Sequence, residues 1–96
     1  MEVSIQHKKL GVKATVKTLQ QRDLEAFGAA IAKEDLGSAS QRVGANVRAA
    51  LQAGWFIELE PALTADQVVS QPPAVIRLLG GFVETIYREV TEIPPE

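Results

Sequence analysis

The sequence predicts an α+β domain: an N-terminal antiparallel β-hairpin packed with three main helices, the last of them long. Three observations predict it. Residues 2–7 and 12–17 alternate apolar and polar side chains, the period of strands with one covered face. Thr18/Gln21, Ser38/Gln41 and Thr64/Gln67 each have the spacing of a capping box, a helix-start signature. From Pro73 to Val90, apolar residues fall at Val75, Leu78, Leu79, Phe82, Val83, Ile86, Tyr87 and Val90, an unbroken i, i+3, i+4, i+7 repeat.

The elements follow in chain order over residues 1–96, read as a single domain with one core. The hairpin covers about 2–18: Val3, Ile5 and His7 share one face, and Val12, Ala14 and Val16 share one on the second strand. Lys13, Thr15 and Lys17 then face water. Gly11 lies in the turn, which lacks the Asn-Gly pair that would fix its register. Leu24, Phe27, Gly28 and Ile31 recur at helical spacing, giving a helix over 19–33. Glu34–Gly37 is a loop. A second helix spans 39–53 with an inner stripe of Val43, Val47, Ala50 and Leu51, and Gly54 sits where a C′ glycine accepts a left-handed backbone. Trp55–Glu60 alternates weakly, as a short strand or an extended crossing, and Pro61 closes it. A short helical turn covers 65–70. Pro72-Pro73 breaks the chain, and Pro73 suits position N1 of the last helix, 73–90. That helix is the expected organising element, followed by an extended tail over 91–96. Gly80-Gly81 is unusual inside a helix, where each glycine costs on the order of 1 kcal/mol relative to alanine. Close helix packing explains the pair, and a hinge or a surface that another backbone approaches is the functional alternative.

Composition excludes several function classes. The chain has 96 residues, 46% of them apolar and none a cysteine. Disulfides and thiolate metal sites are therefore impossible, as fits a reducing compartment. No signal-like apolar region follows the N-terminus, and no apolar run reaches the roughly 18–20 residues of a membrane helix, so a cytoplasmic protein without membrane partners is expected. Net charge is −2, unevenly spread. Residues 1–22 carry Lys8, Lys9, Lys13, Lys17 and Arg22 against Glu2. Residues 56–96 carry seven acids against Arg77 and Arg88. Solvated faces account for this pattern. A polar molecule suited to head-to-tail self-association, with Lys13 and Lys17 of one copy meeting Glu89 and Glu92 of another, is the sharper reading.

No catalytic constellation stands out, and no cofactor is expected. His7 is the sole histidine and sits at a strand end beside two lysines. One histidine and no cysteine cannot assemble an ordinary zinc site. A Ser-His-Asp arrangement would have to bring His7 to Ser38, Ser40 or Ser70 without any local motif. Glu34-Asp35 and Glu58/Glu60 read as solvated acids, and no glycine-rich phosphate loop joins a strand to a helix. The chain is expected not to be an enzyme.

Arg42, Asn46 and Arg48 lie off the apolar stripe of the second helix, and Ala53-Gly54-Trp55-Phe56 then enters a strand. This looks like the recognition helix and first wing strand of a winged helix-turn-helix. Against DNA binding, the two arginines lie on opposite sides of the stripe and Glu34, Asp35, Glu58 and Glu60 bracket them. Nucleic acid is an unexpected partner, and this reading stands as the alternative. Trp55 and Phe56 are strand neighbours with opposite directions, so either one enters the core and leaves the other as an interface anchor, or helices bury both.

Three segments carry a resemblance: Gly54-Trp55-Phe56-Ile57-Glu58, Gln71-Pro72-Pro73-Ala74-Val75-Ile76-Arg77-Leu78-Leu79, and Tyr87-Arg88-Glu89-Val90-Thr91-Glu92-Ile93-Pro94-Pro95-Glu96. Together they look like the small proteins of the tail module of tailed bacteriophages and prophages, candidate tail assembly chaperones among them. The likeness covers about the C-terminal half. It implies a non-enzymatic partner of tail assembly or a minor tail component, acting in the host cytoplasm through contacts with other tail proteins.

Overall fold

Two strands with matched alternation need a third element to cover one side, and the chain supplies it from both directions. The computed structural model describes residues 1–92. In order these are β1 (Val3–His7), β2 (Val12–Val16), α1 (Gln21–Ile31), α2 (Ala39–Gln52), β3 (Phe56–Glu60), a 3-10 helix (Ala65–Ser70) and α3 (Pro73–Thr91). The α+β class is the one expected, and the hairpin is extended to a three-stranded antiparallel sheet in the order β1-β2-β3.

β2 is central. Val3 faces Val16, Ile5 faces Ala14 and His7 faces Val12 across the hairpin. On the other side Ala14 faces Leu59 and Val16 faces Phe56, with a bulge that leaves Ile57 without an opposite residue. The apolar face is therefore Val12, Ala14 and Val16 in the middle, all essentially inaccessible to water. It joins one core with Phe27 and Ala30 of α1, Val47, Ala49 and Ala50 of α2, and Val75, Leu79, Phe82, Val83 and Ile86 of α3. Ser4 and Thr15 face the other way, where their hydroxyls are 2.8 Å apart and Thr15 also donates to Glu58 at 3.3 Å. Of the three residues expected to face water only Lys13 does so fully, since these contacts bury Thr15 and the ion pair with Asp23 half-buries Lys17.

α1 begins two residues later than the 19–33 expectation. Thr18/Gln21 and Gln20/Asp23 have the same spacing, and the second pair forms the cap: the Gln20 amide donates to the Asp23 carboxylate at 2.8 Å. An anion in the first turn meets the helix dipole, which neutral Gln21 cannot do. α2 starts as expected, with the Gln41 amide donating to Ser38 Oγ at 3.2 Å. It ends in a Schellman arrangement: Gly54 at φ +72° donates to the Leu51 carbonyl at 3.2 Å, and Trp55 donates to Ala50 at 3.0 Å.

α2, not α3, is the central helix. It packs on α1, on α3 and on the 3-10 helix. Gly44, Ala45, Val47, Ala49 and Ala50 are all buried, more of the circumference than the four-residue stripe implied. Small side chains allow this close approach. A Cβ added to Gly80 of α3 would lie 2.5 Å from Val43 Cγ1 and 2.7 Å from the Val43 carbonyl oxygen of α2. Gly80 is thus a packing glycine, while Gly81 faces open space. α3 buries Val75, Leu79, Phe82, Val83 and Ile86, whereas Tyr87 and Val90 emerge toward its end. Its last turn includes Thr91, whose hydroxyl donates to the Tyr87 carbonyl at 2.7 Å, so the helix runs into the expected tail. The remainder of that tail, 93–96, lies outside the described residues.

Candidate protein-contact site: a cleft beside the second helix

The Pro72-Pro73 break sets where α3 begins, and with it the shape of a cleft. The 3-10 helix is capped by Gln67, whose side-chain oxygen accepts the Thr64 amide at 3.0 Å. It turns Val68 inward, 1% exposed, and Val69 outward, 77% exposed. The N-terminal half of α2 lies opposite. Between these segments and the first turn of α3 is an open cleft of about 620 Å³. Its apolar walls include Val43 and Gly44 of α2, Val68 and Val69, and Pro73 and Ile76 of α3, and Ser40, Gln41 and Gln71 add polar groups to the lining.

Two arginines border the cleft and they differ electrically. Arg48 lies over Gly44, with Nη1 only 3.3 Å from where a Cβ would stand. It donates to Glu34 Oε1 through Nε at 3.0 Å and Nη2 at 2.7 Å. Both partners are largely sheltered, so this charge is neutralised in place and ties α2 to the loop after α1. Arg77 is exposed and has no ion-pair partner among the described residues. A largely apolar cleft with the Arg77 guanidinium at its rim suits a segment carrying both an apolar side chain and a carboxylate.

The residues singled out from the sequence are not gathered here. Trp55 is fully buried, which corrects its assignment as a partner-binding residue. Its indole stacks on Phe27 with centroids 4.6 Å apart, and its Nε1 donates to the Asp23 carbonyl at 3.1 Å. The α1 N-terminus offers a polar partner that lets the whole ring leave water. Phe56 is half-buried and packs on the core's edge. Lys13 approaches Glu58 at 3.7 Å. Lys17 binds Asp23 at 3.0 Å. Both lysines thus have partners within their own chain. Glu89 and Glu92 are exposed at the end of α3.

Asp23 is the ionisable group with a clear perturbation. The Gln20 amide holds its carboxyl below the ordinary value of 3.8, and the Lys17 ammonium adds to this against a smaller cost of burial. These contacts are structural and lie within the α1 cap. His7 likewise serves its own turn, Nδ1 accepting the Leu10 amide at 3.2 Å. No cluster of three metal-ligating side chains occurs among the described residues, and among them no helix is long and apolar enough to cross a membrane.

Sequence reasoning missed the cleft because it is built from three separated segments, none carrying a motif. The chain matches no protein-family model, no curated protein and no solved structure.

Proposed function

We propose that this protein works through protein–protein contacts rather than catalysis, as an assembly or accessory structural component of the phage-tail kind acting in the host cytoplasm. The observation that carries the contact reading is the cleft, with exposed Val69 and exposed Arg77 at its rim. Its occupant on this reading is a segment of a tail protein that places an apolar side chain against Val43, Val69 and Ile76 and a carboxylate on Arg77. Charge complementarity at Arg77 selects the acidic partner, and the exposed apolar area supplies the affinity. The tail-assembly part of the proposal is supported by the resemblance of the three segments in the C-terminal half.

The winged-helix alternative gains no support from α2. That helix is packed between α1 and α3, and Arg48 is committed to Glu34. Arg42 donates to the Leu36 carbonyl at 3.3 Å.

Co-purification with individually co-expressed tail proteins tests the proposal, using the wild type, Val69→Asp and Arg77→Glu, with folding of each checked by circular dichroism. Specific capture of a tail protein by the wild type, lost in both variants, is the expected result. Capture that survives both substitutions would remove the cleft, and no capture would remove the tail assignment. A gel-shift titration at about 50 mM salt addresses the alternative, since a low-micromolar duplex complex that weakens steeply with salt would promote it over the contact reading.

A further inference from the structure

The two edges of the sheet are unlike. β3 is guarded as edges usually are: a bulge at Ile57, acidic Glu58 and Glu60, and Pro61 directly after. Within β1 none of these devices occurs, and the charges nearest to it, Glu2 before and Lys8 and Lys9 after, lie just outside the strand. Val3-Ser4-Ile5-Gln6-His7 contains no acid, lysine, arginine, proline or glycine, and it pairs with β2 without interruption. Val3 and Ile5 remain only half-buried although they lie on the core face.

The direction of the free backbone groups follows from the ladder. Lys17 donates its amide to the Trp55 carbonyl, toward the β3 side. Odd residues of the β2 segment therefore bond toward β3 and even ones toward β1. Across the register, even residues Val12, Ala14 and Val16 face odd residues His7, Ile5 and Val3. The N–H and C=O groups of Ser4 and Gln6 are left pointing away from the sheet. Unpaired groups on an uncharged strand are a template for another strand.

We propose that β1 pairs antiparallel with β1 of a second copy, about a two-fold axis at Ile5, joining two sheets into one of six strands. In this register Ser4 bonds Gln6 of the second copy, and Ile5 meets its own equivalent. Glu2 then lies opposite Lys8 of the second copy, twice per dimer by symmetry. Both side chains are exposed and have no ion-pair partner among the described residues. Shifting the axis to Ser4 places Glu2 opposite Gln6, and shifting it to Gln6 places Glu2 opposite Leu10. Only the register centred on Ile5 pairs the charges and also uses all five residues of the strand. It is an isologous contact, unlike the head-to-tail association that the overall charge asymmetry suggests, and it is independent of the cleft.

A single strand pair buries little surface, so the dimer is expected to form between about 10 μM and 1 mM protein. Sedimentation equilibrium over that range measures it for the wild type, Glu2→Lys, Lys8→Glu and the double exchange, with circular dichroism confirming each fold. Either single reversal should weaken association roughly tenfold, and the double exchange should restore it to within about threefold. In amide hydrogen exchange, Ser4 and Gln6 should gain protection as concentration rises. A monomer throughout the range overturns the proposal. So does a dimer that ignores both reversals, or one that leaves the Ser4 and Gln6 amides unprotected.

Discussion

Adjacent glycines at 80 and 81 should respond to the same substitution with opposite sign. In Gly80→Ala the new methyl meets Val43 Cγ1 at 2.5 Å and the Val43 carbonyl oxygen at 2.7 Å, where ordinary contacts begin at 3.4 Å. The Val43 side chain can rotate away, but its carbonyl belongs to the α2 backbone. Relief therefore requires α2 and α3 to separate, opening the layer that contains Val47, Leu79 and Val83. Overpacking of this sort costs about 1–3 kcal/mol and sometimes more, and a backbone obstacle puts it at the upper end. Alanine's better helix propensity returns about 0.8–1 kcal/mol. The net expectation for Gly80→Ala is a loss of about 2 kcal/mol. Gly81→Ala meets nothing within 4 Å and keeps only the propensity gain, about 0.5–1 kcal/mol in favour of the fold. Urea denaturation followed by circular dichroism at matched m-values gives both numbers. A difference below about 1 kcal/mol between the two variants, or a shared sign, would refute the close approach of α2 to α3.

Leu79→Ala should cost about 2–5 kcal/mol and Phe82→Ala about 3–5 kcal/mol in the same assay, because both side chains are buried, and losses below about 1 kcal/mol at both would mean α3 is rotated. Trp55 is the sole tryptophan, so native fluorescence should be blue-shifted and resist iodide quenching, and a solvent-like emission maximum would place the ring at the surface. Asp23 has a folded pKa below its ordinary 3.8, so its contribution is full above that value and is lost as pH falls through the folded one. Between about pH 6 and pH 2 the stability gap between wild type and Asp23→Asn should therefore narrow, and a gap that is flat or widens on acidification would contradict the cap geometry.

What the sequence disclosed were the features encoded locally. The alternation around Val12–Val16, the Ser38 cap, the Gly54 terminus and the repeat from Val75 to Ile86 each depend on neighbours within a few residues, and each reappears in the structure. Distant contacts settled the rest. Thr18/Gln21 and Gln20/Asp23 have the same spacing, and the anionic Asp23 that forms the cap is further held by the Lys17 ammonium and, at its carbonyl, by the Trp55 indole, which arrives from 32 residues away. The breadth of α2's burial was hidden because Gly44, Ala45 and Ala49 carry weak hydrophobic signals, although their smallness is what lets three elements approach one helix. Trp55 read as a surface candidate because alternation assigns directions within a strand, and the strand proper begins at Phe56. The cleft was invisible for a related reason: its walls come from three segments that only the fold brings together.

The few residues joining α2 to β3 bear on how the molecule comes apart. Within them, Trp55 bonds by backbone to Ala50 and Lys17, by its indole to Asp23, and by its ring to Phe27, which in turn lies 5.2 Å from Tyr87. The end of the central strand, the first helix, the end of the second and the last turns of the third are thereby fastened to one residue, Trp55, directly or through Phe27. Loosening any one of them strips that residue of a partner, direct or by way of Phe27, so partial opening on this side of the protein has no cheap form. Unfolding should be concerted there. The connection at 53–55 is the wrong place to cut the chain for a permuted version, whereas the loops at 34–37 and 61–64 leave that fastening whole.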